Sequence, residues 1–534
     1  MTIIKLVLFI IICFGTLFAS SSQFIDSQMT PKWIILIGGA SVLGICYLVQ
    51  LLPSSNISKG DKTNHNIYST GVTITIICST FIQALYGILQ YFKVFQPTNN
   101  FPISGSFDNP AGFAAALSLS IPFYFIAITK LRNNTRWGIY LILIITLSAI
   151  ILSGSRTSIV SVLFISIYWS TKHFLHISKI KRVLITILLT GITIACLYNI
   201  KKDSADGRLF IWKCSFTMLK DNYLMGYGTG GFEANYMNYQ AMYFRENPNS
   251  LNGRLADNVE YPFCEYIRII CNYGLIGLTL LIIIITFLYY SYLKQPSTDK
   301  EAAILCWGIM GFLSMFSYPT MYPFVWLILI YCIYILIQDH LNLITKHNFF
   351  IKSKTYIIIS CLIVLFYIEY KNYQRFKAEI EWAHIANLSI LGKTEQTIPQ
   401  FEKLKKVMGN NQHFLYNYCV TLYQAKDYNR SLIIAKECHM LWANYNLEVL
   451  MGKIYENLQA YHTAESHYQL ASQMCPNRFL PLYQLVLLFN KTQKHKEAIL
   501  LAREIAHKQV KIPSQLIDNI KLEMSIYILN NSTK

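Results

Sequence analysis

Long apolar runs broken by short basic segments fill the first two thirds of the chain. They lie near 3–20, 33–53, 70–92, 111–129, 137–153, 157–172, 183–199, 266–292, 302–318, 322–338 and 355–369. A helix needs about 20 mostly apolar residues to cross a bilayer. The runs are continuous rather than alternating, so they predict helices, not barrel strands. The pattern predicts about eleven spans, interrupted by one long polar stretch at 200–265. Beyond about residue 370 it changes to helical periodicity with no further apolar run. The expected fold is therefore all-α: a polytopic helical bundle over 1–370, then a soluble α-helical repeat domain over 371–534.

Composition supports the bilayer. Hydrophobic residues make up 53% and charged residues 14% of the chain, against about 25% charged in an ordinary soluble domain. The net charge of +18 does not point to nucleic acid, which needs a clustered basic face. Here the basic residues alternate with the spans: Lys59 and Lys62; Lys130, Arg132 and Arg136; Lys172, Lys179, Lys181 and Arg182; Lys294 and Lys300; Lys346, Lys352 and Lys354. The intervening short loops hold little beyond Lys32, Lys93 and Arg156. By the positive-inside rule the first set is cytoplasmic. That places the N-terminus inside, and the 200–265 loop and the tail outside, on a multi-pass protein of the inner (cytoplasmic) membrane. The first run, with Lys5 and Phe18-Ala19-Ser20, is read as an uncleaved helix, a cleaved signal being the alternative. The 13 cysteines are scattered, without CxxC or zinc spacing, and no metal or nucleotide cofactor is expected.

In the tail a period of about 34 residues is visible. Gly452, Tyr455, Tyr461, Ala464, Tyr468, Ala471 and Pro476 fall at tetratricopeptide spacing. Weaker units precede it (Leu422, Tyr428, Ser431, Cys438) and follow it (Phe489, His495, Ala498). Small residues suit a close helix crossing, and proline ends the second helix. Such stacks present binding surfaces, so the tail is read as a binding module able to take a protein partner.

The outer loop is too long for a passive connector. It reads GRLFIW from Gly207 to Trp212, GYGTGGF from Gly226 to Phe232, and NVEYPFCEY from Asn258 to Tyr266, before Gly274-Leu275-Ile276-Gly277. Upstream stand GSFDNP, Gly105 to Pro110, and Ser153-Gly154-Ser155-Arg156. In order and placement these blocks resemble the O-antigen ligase family, which includes O-antigen polymerases and protein oligosaccharyltransferases, over roughly residues 100–340. A ligase-like core followed by tetratricopeptide repeats is a familiar arrangement among its relatives. The family commonly carries His-Asn about ten residues before the first glycine of G-x-x-G. Here Phe263 and Cys264 stand there, and 200–265 contains no histidine.

The resemblance implies transfer of a glycan from a polyprenyl-pyrophosphate carrier to a lipid or protein acceptor, with polymerisation of the lipid-linked glycan as the alternative. A non-catalytic scaffold recruiting partners through its tail is the reading from another class. A departing diphosphate gathers negative charge, which preorganised cations stabilise; arginine suits it through its planar fork. Arg156, in a tight turn between two spans, and Arg208, in the GR block, are the candidate catalytic cations, expected to share one diphosphate. Arg268 and Trp212 complete the candidate substrate-binding set. Glu265 is the candidate general base, with Glu260 and Asp257 as alternatives. The glycine block has no strand–turn–helix context for a phosphate cradle and is read as a tight turn. Tyr236, Tyr239 and Tyr243 fall near one helical face, read as packing more than sugar stacking.

Overall fold

The computed structural model describes residues 2–51, 61–96, 101–131, 133–174, 177–200, 202–344 and 348–531; Lys59, Arg132 and Lys346 of the basic set lie outside these. Among the described residues every regular element is helical. Seven helices are long and apolar enough to cross a membrane: Met29–Gln50, Asn66–Tyr91, Pro110–Lys130, Asn134–Leu152, Glu265–Lys294, Pro323–His340 and Thr355–Ile390. The other four expected runs also fall on helices, Thr2–Phe18, Arg156–His173, Lys179–Ile200 and Thr298–Phe316. The first has 17 residues. Arg156–His173 is rich in serine, and Thr298–Phe316 opens on Asp299, Lys300 and Glu301; those polar residues thin the apolar character that the count of eleven assumed.

The chain folds as two compact units. The first comprises Met1–Ile200, Phe263–Glu265 and Leu280–Ala383; the second comprises Lys201–Pro262, Tyr266–Thr279 and His384–Lys534. At the centre of the first lies Pro110–Lys130, buried on every side from Gly112 to Ile126, as expected of a helix apolar all round. Its start is written in the sequence: Asn109 is the N-cap and Pro110 takes the first helical position, where its missing N–H costs nothing.

The charged ends of these helices meet. Lys130 pairs with Asp299 at 2.6 Å, Lys172 with Glu301 at 2.8 Å, and Lys300 with Asp339 at 2.6 Å. Lys130, Lys172 and Lys300, three of the basic positions that the charge pattern groups on one side, thus meet at one end of the first unit. Asn109, Arg156 and the turn before Pro323 belong to the opposite end, where the same helices start or finish.

The second unit joins the loop 201–262 to the tail. The loop forms two helices, Lys202–Asp221 and Gly231–Glu246. Tyr236 is fully buried, stacked on Phe232 at 4.7 Å and donating to Gln240 Oε1 at 2.9 Å. Tyr239 donates to Asp221, and Tyr243 lies under the Lys213 ammonium. The tyrosines are therefore packing and hydrogen-bonding groups of the loop helices.

In the tail, Gln412–Gln424 pairs with Tyr428–Leu441, Tyr445–Asn457 with Tyr461–Met474, and Leu480–Lys491 with His495–His507. Ala464, Tyr468 and Ala471 are fully buried and the Tyr468 ring lies over Gly452. Glu448 is also fully buried, between His439 (2.8 Å) and His467 (2.6 Å). Burial alone would raise its carboxyl, but hydrogen bonding to the two histidines outweighs burial and holds it below the usual range. Helix Asn348–Ile390 runs without a break through residue 370, so the last apolar run passes into the first tail residues with no loop between them.

Loop and tail meet through polar contacts with the backbone. Gln240, fully buried, donates through Nε2 to the carbonyls of Asp257 (2.9 Å) and Met474 (2.6 Å). Asn477 donates to the Ala256 carbonyl at 2.6 Å, Arg478 pairs with Asp257 at 2.7 Å, and the Ala443 N–H donates to the Glu233 carbonyl at 3.0 Å.

Candidate active site

In the first unit the GSFDNP segment and the turn Pro319–Met321 build one polar cluster. The Asn109 carboxamide oxygen accepts from the N–H groups of Ala111 (2.9 Å) and Gly112 (3.0 Å), while Nδ2 donates to Tyr322 at 2.8 Å, Tyr318 at 3.3 Å and Asp108 at 2.9 Å. Tyr322 is buried against the Phe107 ring, 5.6 Å away edge to face. The Asp108 carboxyl is pushed up by burial, with Asp26 adding to the rise and Asn109 and Lys32 opposing it. Lys32, an exception to the charge pattern, is fully buried and donates to the Ser106 carbonyl. It holds the same segment.

Glu265 reaches this cluster. It is the first residue of Glu265–Lys294 and only 5% exposed. Its Oε1 accepts from the Thr320 backbone N–H at 3.2 Å and from the Thr320 hydroxyl. Phe263 has a left-handed φ of 53° and sets its ring edge to face on Tyr318 at 5.4 Å. A bulky residue at such a φ costs about 1–3 kcal/mol and is kept only where its surroundings over-determine it. Arg156 is the first residue of Arg156–His173, half-buried, at the same end of this unit.

In the second unit Arg208 and Trp212 lie on the helix Lys202–Asp221, both half-buried. Trp212 donates its indole N–H to the Pro262 carbonyl at 2.9 Å, so its polar atom fastens the end of the loop. Arg268 pairs with Glu233 at 3.2 Å and stands over the Tyr261 ring at 5.4 Å. Asp257, weighed as a base, is spent on Arg478. Sequence reasoning misses Glu233 and Thr320. Their partners lie 35 and 55 residues away, and neither sits in a motif that marks it.

The glycine block is a backbone seam. Tyr227 N–H donates to the Cys271 carbonyl at 2.9 Å and Gly228 N–H to the Asn272 carbonyl at 2.7 Å; Leu275 N–H returns to the Tyr223 carbonyl at 2.9 Å. Helix Glu265–Lys294 breaks at Gly274, φ 61° and ψ −160°, a region open essentially to glycine alone. A Cβ on Gly274 would stand 2.1 Å from the Leu224 carbonyl oxygen, and one on Gly226 would stand 2.5 Å from the Asn272 backbone. The G-Y-G-T-G-G and G-L-I-G blocks are thus two sides of one close approach. Gly274→Ala is expected to destabilise the second unit by about 3 kcal/mol, read as a lower Tm of the purified protein and faster proteolysis within 201–262.

These features define a helical membrane protein with a polar cluster at helix ends. Residues 111–282 match the family model described as O-antigen ligase. The match takes in the central helix, Arg156, the loop and Glu265, and supports a membrane glycosyltransferase-like function. No curated protein matches the chain.

Proposed function

We propose that this protein is an integral membrane glycosyltransferase of the O-antigen ligase type. It moves a glycan from a polyprenyl-pyrophosphate carrier to a lipid or protein acceptor at the outer face of the inner membrane. The observation that carries this reading is a buried carboxylate, Glu265, gripped at a helix start inside the segment matched to the ligase family. The acceptor hydroxyl or amide attacks the anomeric carbon, the bond from that carbon to the phosphate oxygen breaks, and its electron pair leaves with the diphosphate. Glu265 takes the acceptor's proton. Arg156, Arg208 and Arg268 are the cations assigned to the diphosphate, and Trp212 lines the loop beside Arg208. The tail is read as tetratricopeptide-like and extracytoplasmic, and its first partner is the chain's own loop.

Deleting the gene and profiling the glycans tests the reading. Loss of glycan from lipid or protein, with intact lipid-linked chains accumulating, is the expected result; shortened lipid-linked chains would mean polymerisation, and an unchanged profile would leave a scaffold. In the complemented strain Arg156→Lys and Arg208→Lys are each expected to lose most transfer, roughly 10-fold or more, because lysine supplies a point charge in place of the fork.

A further inference from the structure

We propose that Thr320 is a positioning residue for the transfer reaction, fixing the Glu265 carboxylate so that it meets the acceptor's proton in one orientation. The inference rests on the reading of Glu265 as the base.

The geometry is specific to this turn. Two donors from one residue, the Thr320 N–H and hydroxyl, converge on one carboxylate oxygen, Oε1. Two hydrogen bonds to the same oxygen fix the torsion of the carboxyl plane, which a single contact would leave free to rotate.

Thr320 is itself held. Its carbonyl accepts the Trp326 indole N–H at 2.7 Å. The turn around it closes through Met321 N–H to the Tyr318 carbonyl and Tyr322 N–H to the Pro319 carbonyl, both 3.2 Å. Tyr318 and Tyr322 flank the turn and are both tied to Asn109. Glu265 therefore takes its bearing from the Asn109-capped central helix through a chain of short contacts. A loop carboxylate held only by solvent has no such reference, and a base must keep its geometry to within a fraction of an ångström. The titratable groups bordering the turn are Tyr318, Tyr322 and, through Asn109, Asp108.

The test uses membranes from a deletion strain expressing the full chain, with native acceptors present and the strain's own accumulated lipid-linked glycan as donor. Release of free polyprenyl diphosphate is followed as the amount of donor is varied. Thr320→Val removes the hydroxyl donor and keeps the shape. The expected result is a maximal rate lower by on the order of 10-fold and an unchanged half-saturating donor concentration. Thr320→Ser restores the rate. If Thr320→Val does not accumulate, Thr320→Cys, which keeps the volume and weakens the donor, is expected to lower the rate in the same way. A wild-type rate in Thr320→Val or Thr320→Cys, alongside an inactive Glu265→Gln, would overturn the positioning role while the base survives. Full activity in Glu265→Gln would overturn the base itself.

Discussion

Glu265→Gln is expected to lower glycan transfer by roughly 10²–10⁴-fold, the range a positioned general base contributes, with the protein still inserted in the membrane. The amide keeps the volume of the acid and can still accept from Thr320, so the surrounding turn has no reason to collapse. What it cannot do is take a proton. Release of polyprenyl diphosphate in membranes measures the loss. The alternatives are worse placed: Asp257 is engaged by Arg478 at 2.7 Å, and Glu260 lies on the half-buried approach to Phe263 with no anchoring contact, among the described residues, of the kind Thr320 gives Glu265. Transfer at the wild-type rate in the glutamine variant would remove Glu265 from the chemistry.

The second large effect is expected from the loop–tail seam. Gln240→Leu strands the carbonyls of Asp257 and Met474, both of which accept from one buried amide. Each buried acceptor left without a donor costs about 1–3 kcal/mol, so the variant should lose roughly 2–6 kcal/mol of second-unit stability. Truncation after Ala383 should go further and reduce transfer below detection. It removes every tail contact of Glu233, Gln240, Ala256 and Asp257. Limited proteolysis of 201–262 in membranes distinguishes a loosened loop from a missing protein. A truncated chain that still transfers glycan would confine the tail to recruiting other proteins.

Much of the helical framework was legible because its causes are local. Asn109-Pro110 marks a helix start by capping chemistry alone. The tyrosines at 236, 239 and 243 were readable as a packed helical face from spacing. The glycines signalled a tight turn, though not that the turn would close on the backbone of Asn272 to Gly274. What was hidden depends on pairs remote in sequence. Nothing around Thr320 announces a carboxylate partner, since threonine in a proline-containing turn is ordinary turn chemistry. Glu233 reads as a helix-start acid and proves to be the partner of Arg268. Seven of the eleven expected runs fall on helices long and apolar enough to cross a membrane; the other four are shorter or carry more polar residues, because a run of hydrophobic side chains reports burial in lipid or in protein alike.

The seam between loop and tail also bears on the protein's birth. Asp257 and Arg478 are 221 residues apart, and ribosomes add roughly 5–20 residues per second, so the loop waits on the order of 10–45 s for the partner that completes it. During that interval the segment bearing Arg208 and Arg268 has left the ribosome without the surface it packs against. A chain whose synthesis stops early would carry a loop without the tail contacts that complete it. Finishing translation is then the step that closes the second unit.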